Sequence, residues 1–251
     1  MPRVTVLGSG TCVPRQRRGP AGYALETGAS RLLIDSGSGT LGRLMQAGLD
    51  FRDLSHALYT HTHVDHTADL APLLFASKYT PDFVREQTLH LIGPPGFAAF
   101  VDRLADAWPW IRPEGDWLEI RELDDDTMRF ADFTIRAVPV DHGGIPANAY
   151  RIEAEGKSVV FSGDTGYASG IVEIARGADL LVIEASFPTG DDPGWHLTAA
   201  QAGRVAAQAK AKAVVLTHLY PACDEHDMEE LCRQTFDGPI TVAEDLMVIE
   251  V

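Results

Sequence analysis

Apolar positions along the chain recur at two spacings. Short alternating or continuous apolar runs at residues 3–7, 22–26 and 31–35 predict strands, because strand side chains point to the two faces in turn. A wider spacing at 41–47 predicts a helix, and the strand-like "HALYT" of 56–60 follows it. Next come a helix over 70–77, a strand in "TLHLIG" and a helix opened by the "GPPG" of 93–96. From 117 to 161 strands dominate, in "WLEIRELD", "MRFADFTIRAVPV", "NAYRIEAEG" and "KSVVFSGD". Alternation then returns, with strand "LLVIEASF", a helix over 199–210 and strand "AVVLTH"; Thr198 and Gln201 form a capping box at that helix's start. A helix near 228–235 and the strands "ITVAE" and "LMVIEV" close the chain. Two strand-rich blocks, each accompanied by helices, suggest an α/β fold of two sheets packed face to face with helices outside, a four-layer αββα sandwich; periodicity alone fits other α/β layouts too, and the placement of ligand-type residues just past predicted strands favours this one. Without a repeat, low-complexity tract or linker, residues 1–251 read as a single domain.

The apolar share of 45% and charged share of 23% are ordinary for a packed globular chain and exclude a disordered or fibrous class. No segment is long enough to span a bilayer, and the opening "MPRVTVLGSG" lacks the hydrophobic stretch of a signal peptide. Cys12, Cys223 and Cys232 are too few and scattered for a disulfide framework and form no C-x-x-C motif, so a cytoplasmic location is expected. The formal charge of -15 argues against a large nucleic-acid partner, which is gripped through many Lys and Arg contacts to phosphate. A small anionic substrate remains compatible with it. The one basic cluster, Arg15, Arg17 and Arg18 in "PRQRRGP", follows the first strand and reads by itself as a solvated turn.

Against this background "THTHVDHTADL" stands out. His61 and His63 are two apart and project to one side of an extended backbone, while Asp65 and His66 lie around the turn that follows. A polar turn capping the next helix is the plainer alternative. Crowded imidazoles, however, repel one another on protonation unless a metal keeps them neutral. "VPVDHGG" adds His142, "VVFSGDTG" adds Asp164 and "AVVLTHLY" adds His218, each at the end of an apolar strand. Singly each reads as a turn or structural residue; together they make a ligand set. Imidazole and carboxylate donors without thiolate suit zinc, and tolerate manganese or iron. Two such ions about 3.5–4 Å apart lower the pKa of a bridging water and polarise a phosphoryl or carbonyl oxygen, so hydrolysis by a metal-bound hydroxide is the expected reaction.

Read in order, "LGSGTCVPRQRRGPAGYAL", "LLIDSGSGT", "THTHVDHTADL", "IGPPG", "FSGDTG", "LLVIEASF", "HLTAAQA" and "LTHLYP" resemble a metallo-β-lactamase superfamily hydrolase, and most its ribonuclease Z branch. The resemblance runs over nearly the whole chain. It implies that His61, His63 and His142 hold one metal and Asp65, His66 and His218 the other, with Asp164 bridging. It also implies that His196, in an H-x-T position, assists phosphodiester cleavage and that Glu184 orients it. Asp65 would orient the nucleophilic water as well as ligate. Asp35 is expected to hydrogen-bond a ligand histidine or nearby backbone, or else to be a turn residue. Arg17 matches an arginine of the family's first loop and would contact a substrate phosphate.

Members that process transfer RNA carry a protruding basic arm after "GPPG", and the segment here runs directly through a short helix to "DAWPWIRPEGDWLEI". A short form acting on a small nucleotide or cyclic phosphate is therefore expected, ahead of an RNA-processing endonuclease. Trp108, Trp110 and Trp117 in that segment read as core or dimer-interface packing rather than as a pocket wall; homodimers are common in the family. A carboxylic ester, thioester or lactone hydrolase on the same metals is the alternative. A di-iron redox protein is disfavoured, since such relatives replace the second histidine of the motif with glutamate and this chain has His63.

Overall fold

The computed structural model describes residues 1–190 and 194–251. In its first half the chain forms β1 (Arg3–Gly8), β2 (Gly22–Glu26), β3 (Arg31–Ser36), α1 (Thr40–Gln46), β4 (His56–Leu58), α2 (Val64–Thr67), α3 (Leu70–Tyr79), β5 (Leu89–Gly93), α4 (Phe97–Ala107) and β6 (Leu118–Glu122). The second half continues with β7 (Thr127–Arg129), β8 (Phe133–Pro139), β9 (Asn148–Ala154), β10 (Lys157–Phe161), α5 (Ser169–Ile174), β11 (Leu180–Glu184), α6 (Ala199–Ala209), β12 (Val214–Thr217), α7 (Met228–Arg233), β13 (Ile240–Val242) and β14 (Val248–Glu250). They form two seven-stranded sheets, in the orders β14-β1-β2-β3-β4-β5-β6 and β13-β12-β11-β10-β9-β8-β7.

Three apolar layers follow from the two-residue strand period. Leu32, Ile34 and Leu58 of the first sheet meet Ile135, Ile152, Val159 and Val182 of the second in the central core. The residues between them point the other way: Leu33, Ala57 and Leu91 pack under α1, α3 and α4, whereas Val160, Leu181 and Leu216 pack under α5, α6 and α7. Both faces of the inner strands are thus buried, which explains near-continuous apolar runs such as "LLVIE". The architecture is the αββα sandwich.

Local departures from the sequence reading have physical causes. The run 128–140 is not one extended stretch but a hairpin, β7 to β8, closed by the Phe130 N–H donating to the Phe133 carbonyl. At its turn Asp132 accepts from the Thr27 and Ser30 hydroxyls, which ties the second sheet to the first. The one-turn α2 and the six-residue α5 carry too few residues to show a helical period. The α6 capping box forms as expected, with Lys210 in the left-handed conformation at the other end.

Candidate metal centre

Strands β3 and β4 run parallel to each other in the first sheet, as do β10, β11 and β12 in the second, and they end at one edge of the sandwich. Their carboxyl ends deliver Asp35, His61, Asp164, Glu184 and His218 there, the place where open α/β sheets put their ligands. Two glycines allow the loops to close on one another. A Cβ on Gly37 would lie 2.1 Å from the Asp65 carbonyl oxygen, and one on Gly163, which has φ +58°, would lie 2.7 Å from Thr60 Cβ. Asp35 and His218 adopt left-handed backbone, φ 55° and 54°, which costs roughly 1 kcal/mol or more for a residue with a Cβ and is held by the hydrogen bonds below.

Two donor groups divide the predicted ligands, His61, His63, His142 and Asp164 in one and Asp65, His66 and His218 in the other, and a third overlaps them through Asp164, His196 and His218. Asp164 faces both of the first two. Its Oδ2 lies 3.8 Å from His61 Nε2, 3.8 Å from His142 Nε2 and 3.4 Å from His218 Nε2, and its Oδ1 lies 3.4 Å from His66 Nε2. Within the groups, His66 and His218 approach to 3.3 Å, and His63 Nδ1 lies 3.2 Å from His142 Nε2.

Whether these residues fit a metal is answered by the far side of each ring. His142 Nδ1 donates to the Trp195 carbonyl at 2.9 Å and His66 Nδ1 to Asp35 Oδ2 at 2.8 Å. The Thr60 hydroxyl gives its proton to Asp35 at 2.9 Å and so accepts from His61 Nδ1 at 3.1 Å. Ser186 gives its proton to Glu184 at 2.6 Å and accepts from His218 Nδ1 at 3.0 Å. Four imidazoles are thereby held in the tautomer whose Nε2 lone pair faces inward. His61 Nε2 and Asp164 Oδ1 are buried there without a hydrogen-bond partner, an arrangement that is costly unless a cation occupies the centre. The donor set fits a divalent ion.

The electrostatics agree. Burial and the neighbouring rings push the pKa of His61 well below the usual histidine range, and His63 is lowered for the same reasons. Burial opposes ionisation of Asp65, but the His218 hydrogen bond and His66 outweigh it and bring the carboxyl down to about 2. Burial is likewise overcome at Asp164, held well below its ordinary range by His218 and His66. His66 is the exception: burial disfavours its charge, yet Asp164 and Asp35 on either side raise it well above the usual value.

Beside the cluster stands a second unit. His196, 7% exposed, turns Nδ1 to Glu184 at 3.0 Å, and its ring packs against His142 and His218 with centroids 4.9 and 5.6 Å away, one from each donor group. Glu184 is fixed by the Thr165 N–H at 2.6 Å, the Leu197 N–H at 3.0 Å and Ser186. Burial lowers the His196 pKa, but the Glu184 hydrogen bond and charge outweigh it, so the ring holds its proton above the ordinary range.

Residues 30–219 match the family described as Beta-lactamase superfamily domain. The chain belongs to the metallo-β-lactamase superfamily. Within it, Ribonuclease Z of Mycolicibacterium gilvum is 32% identical over 280 aligned positions, covering 100% of this chain and 96% of that protein. The fold of the metallo-beta-lactamase fold protein YhfI from Bacillus subtilis superposes with TM-score 0.86 at 26% identity, over 100% of this chain and 99% of that one. Human tRNase Z, short form, superposes with TM-score 0.79 at 25% identity over 99% of each chain. This metallo-β-lactamase superfamily member falls in the ribonuclease Z-like branch, and with its buried His/Asp cluster it is a metal-dependent hydrolase.

A cavity of about 500 Å³ opens onto the hydrolase's donor cluster, lined by Cys12, Val64, Ile145, Trp195 and Tyr220 as well as by ligand residues and His196. Arg17 is not among its lining residues. It is exposed and borders a separate space of about 770 Å³ with Arg15, Arg18, Asp224, Glu244 and Asp245. Asp224 pairs with Arg15 at 2.5 Å and lies 3.4 Å from Arg18, so two of the three arginines are spent on the fold. Trp108 and Trp110 are about half exposed and lie outside both cavity and core, which corrects the core-packing expectation for these two. Trp117 packs under the first sheet's outer face. Asp35 takes the hydrogen-bonding role, accepting from the Thr60 N–H at 2.8 Å besides His66. Sequence reasoning missed Ser186, Trp195 and Tyr220, though each lies within two residues of Glu184, His196 or His218.

Proposed function

We propose that this hydrolase is a phosphodiesterase with two divalent ions, zinc suiting its donors best, and that its substrate is a small nucleotide or cyclic phosphate. His61, His63 and His142 would hold one ion, Asp65, His66 and His218 the other, and Asp164 both. Such a pair, when bound, activates a water and draws charge from a phosphoryl oxygen.

The observation that carries the reading is the His196–Glu184 unit set against a ring from each donor group. When hydroxide attacks a phosphodiester, the P–O bond to the alcohol leaving group breaks, and the departing alkoxide oxygen needs a proton. His196, its Nδ1 tied to Glu184, has Nε2 with which to deliver one, and Glu184 stabilises the charged ring before delivery. Asp65 accepts from the Cys12 N–H at 2.9 Å, which leaves its other oxygen to orient the attacking water.

A small substrate is favoured by the charge of -15 and by the segment between β5 and β6. There α4 packs back on both strands, and among the described residues no arm projects. The relatives named ribonuclease Z favour a second reading, endonucleolytic RNA processing. All three cysteines are free, which fits the cytoplasm, and no helix of the described residues is long and apolar enough to cross a membrane.

The test compares wild type and His196→Ala, each loaded with zinc or manganese. The substrates are bis-p-nitrophenyl phosphate, 2′,3′- and 3′,5′-cyclic nucleotides and a transfer-RNA precursor. The expected result is cyclic-nucleotide turnover that falls by roughly 10²–10⁴ in the variant at unchanged metal content. Turnover of the precursor alone selects the second reading. Cleavage of lactones or thioesters without any phosphodiester turnover ends both.

A further inference from the structure

Trp195 is 47% exposed although it immediately precedes the buried His196, and its indole borders the cavity over the donor cluster. Its position is set by the chain rather than by packing of the ring. The carbonyl of Trp195 accepts from His142 Nδ1 at 2.9 Å. A Cβ on Gly166 would lie 2.2 Å from the Gly194 carbonyl oxygen and 3.3 Å from Trp195 Cα, so this strap is pressed onto the loop that carries Asp164. The indole covers Gly143, with its Cγ and Cδ2 3.7 Å from where a Cβ would stand. Among the described residues the indole has no aromatic partner.

Tyr220 borders the same cavity, two residues after His218, and is backed by Phe187 at 5.3 Å with planes 12° apart. Trp195 therefore belongs to the His142 side of the cluster and Tyr220 to the His218 side. What sets this indole apart from the similarly exposed Trp108 and Trp110 is that it borders the cavity beside convergent polar groups, where it offers a flat apolar face to a planar ligand. The cavity, about 500 Å³, is of small-molecule size.

Resting on the phosphodiesterase reading, we infer that Trp195 is a specificity-determining residue that stacks on the base of the substrate. The preferred phosphate ester then carries a nucleobase rather than a bare sugar or aliphatic alcohol. Tyr220 limits the opposite approach without forming the stack.

Binding rather than turnover tests this, so that it can fail separately from the reading beneath it. Adenosine 5′-monophosphate and ribose 5-phosphate share the phosphate and sugar and differ only in the base. Each is titrated calorimetrically into metal-loaded wild type, Trp195→Phe and Trp195→Ala, with quenching of tryptophan fluorescence followed in parallel. The expected wild-type preference for the adenine compound is about fivefold or more. Trp195→Phe keeps most of it and Trp195→Ala loses it, with metal content and ribose 5-phosphate affinity unchanged. Equal affinities in wild type, absence of saturable binding, or a preference unchanged in Trp195→Ala overturn the inference, as does equal loss in the phenylalanine variant. If neither bis-p-nitrophenyl phosphate nor any cyclic nucleotide is hydrolysed but the ring preference follows Trp195, the platform stands and the phosphodiesterase reading falls.

Discussion

The three-residue strand β4 opens on one histidine and leads into a cluster of others, and the two groups differ in kind. At its start His56 stacks on His90, its register partner on β5, with ring centroids 4.7 Å apart and planes 19° apart, and Phe130 and Phe133 meet it edge-on at 4.3 and 4.9 Å. Beyond its other end, His61, His63 and His66 converge on Asp164. Both groups are packed imidazoles, buried apart from the exposed His63 and the half-buried His90. At the first, the nearest carboxylate, Glu119, stands on the outer side of His90, and His56 Nε2 faces no acceptor. At the second, an acidic group sits among the rings, and the outward nitrogens of His61, His66, His142 and His218 each have their own acceptor. Crowded histidines are therefore not a metal site by themselves; an interior anion and fixed tautomers make one.

Removing the anion is the most severe way to break this contrast. Asp164→Ala is expected to lower kcat/KM more than about a hundredfold and to reduce bound metal on elemental analysis to background, with the fold retained by circular dichroism. A variant that keeps two equivalents of metal refutes the central place given to Asp164. Chelation of the wild type should give the same loss and lower Tm by several degrees, as removal of a native-state ligand does.

His196→Ala separates the proton-donating unit from the ligands. The expected loss in kcat of roughly 10²–10⁴ comes with unaltered metal content. His196 also forms a donor group with Asp164 and His218, so loss of one metal equivalent would make it a ligand instead.

Asp35→Asn and Ser186→Ala sharpen the point about tautomers. Each should weaken metal binding by about 10–100-fold in a competition titration without removing any inward donor. Affinities equal to wild type would mean that packing alone orients His66 and His218.

The smallest effect is expected at the other end of β4. Burial and the nearby His90 depress the His56 pKa to about 3, so the folded chain keeps this ring neutral where the unfolded chain, near 6.5, takes up a proton. Below 6.5 the unfolded state binds more protons, and stability is lost as pH falls toward 3. His56→Phe should therefore leave activity and metal content alone and, relative to wild type, gain about 2 kcal/mol between pH 6.5 and 4.5 in urea titrations of metal-loaded protein. A pH-independent difference would show that the ring is not neutral when folded.

Much of this contrast was legible from residue order. The strand-end positions of His61, His142, Asp164 and His218 follow from apolar runs that stop at polar residues. Two strand-rich blocks with their helices, and ligand-type residues just past the strands, made an αββα sandwich the expected arrangement. Residues whose importance comes from what lies across from them were not legible. Ser186 reads as a small residue after a strand until Glu184, His196 and His218 are found around it. Arg17 and Arg18 look alike in "RQRR", but Arg18 donates to Ser9 at 3.0 Å and to the Ala243 carbonyl, whereas Arg17 is exposed.

By itself, the order of apolar and polar residues determined most of the strands, the α/β class and the inventory of metal-type donors, because these depend on spacing along one chain. Tertiary structure decided which sheet receives each closing strand, β13 extending the second and β14 returning to pair with β1 of the first. It also decided which ring nitrogens face inward and that Trp195 rather than Trp108 or Trp110 borders the cavity. Those outcomes depend on contacts between segments as far apart as His66 and His218, and spacing along the chain carries no record of them.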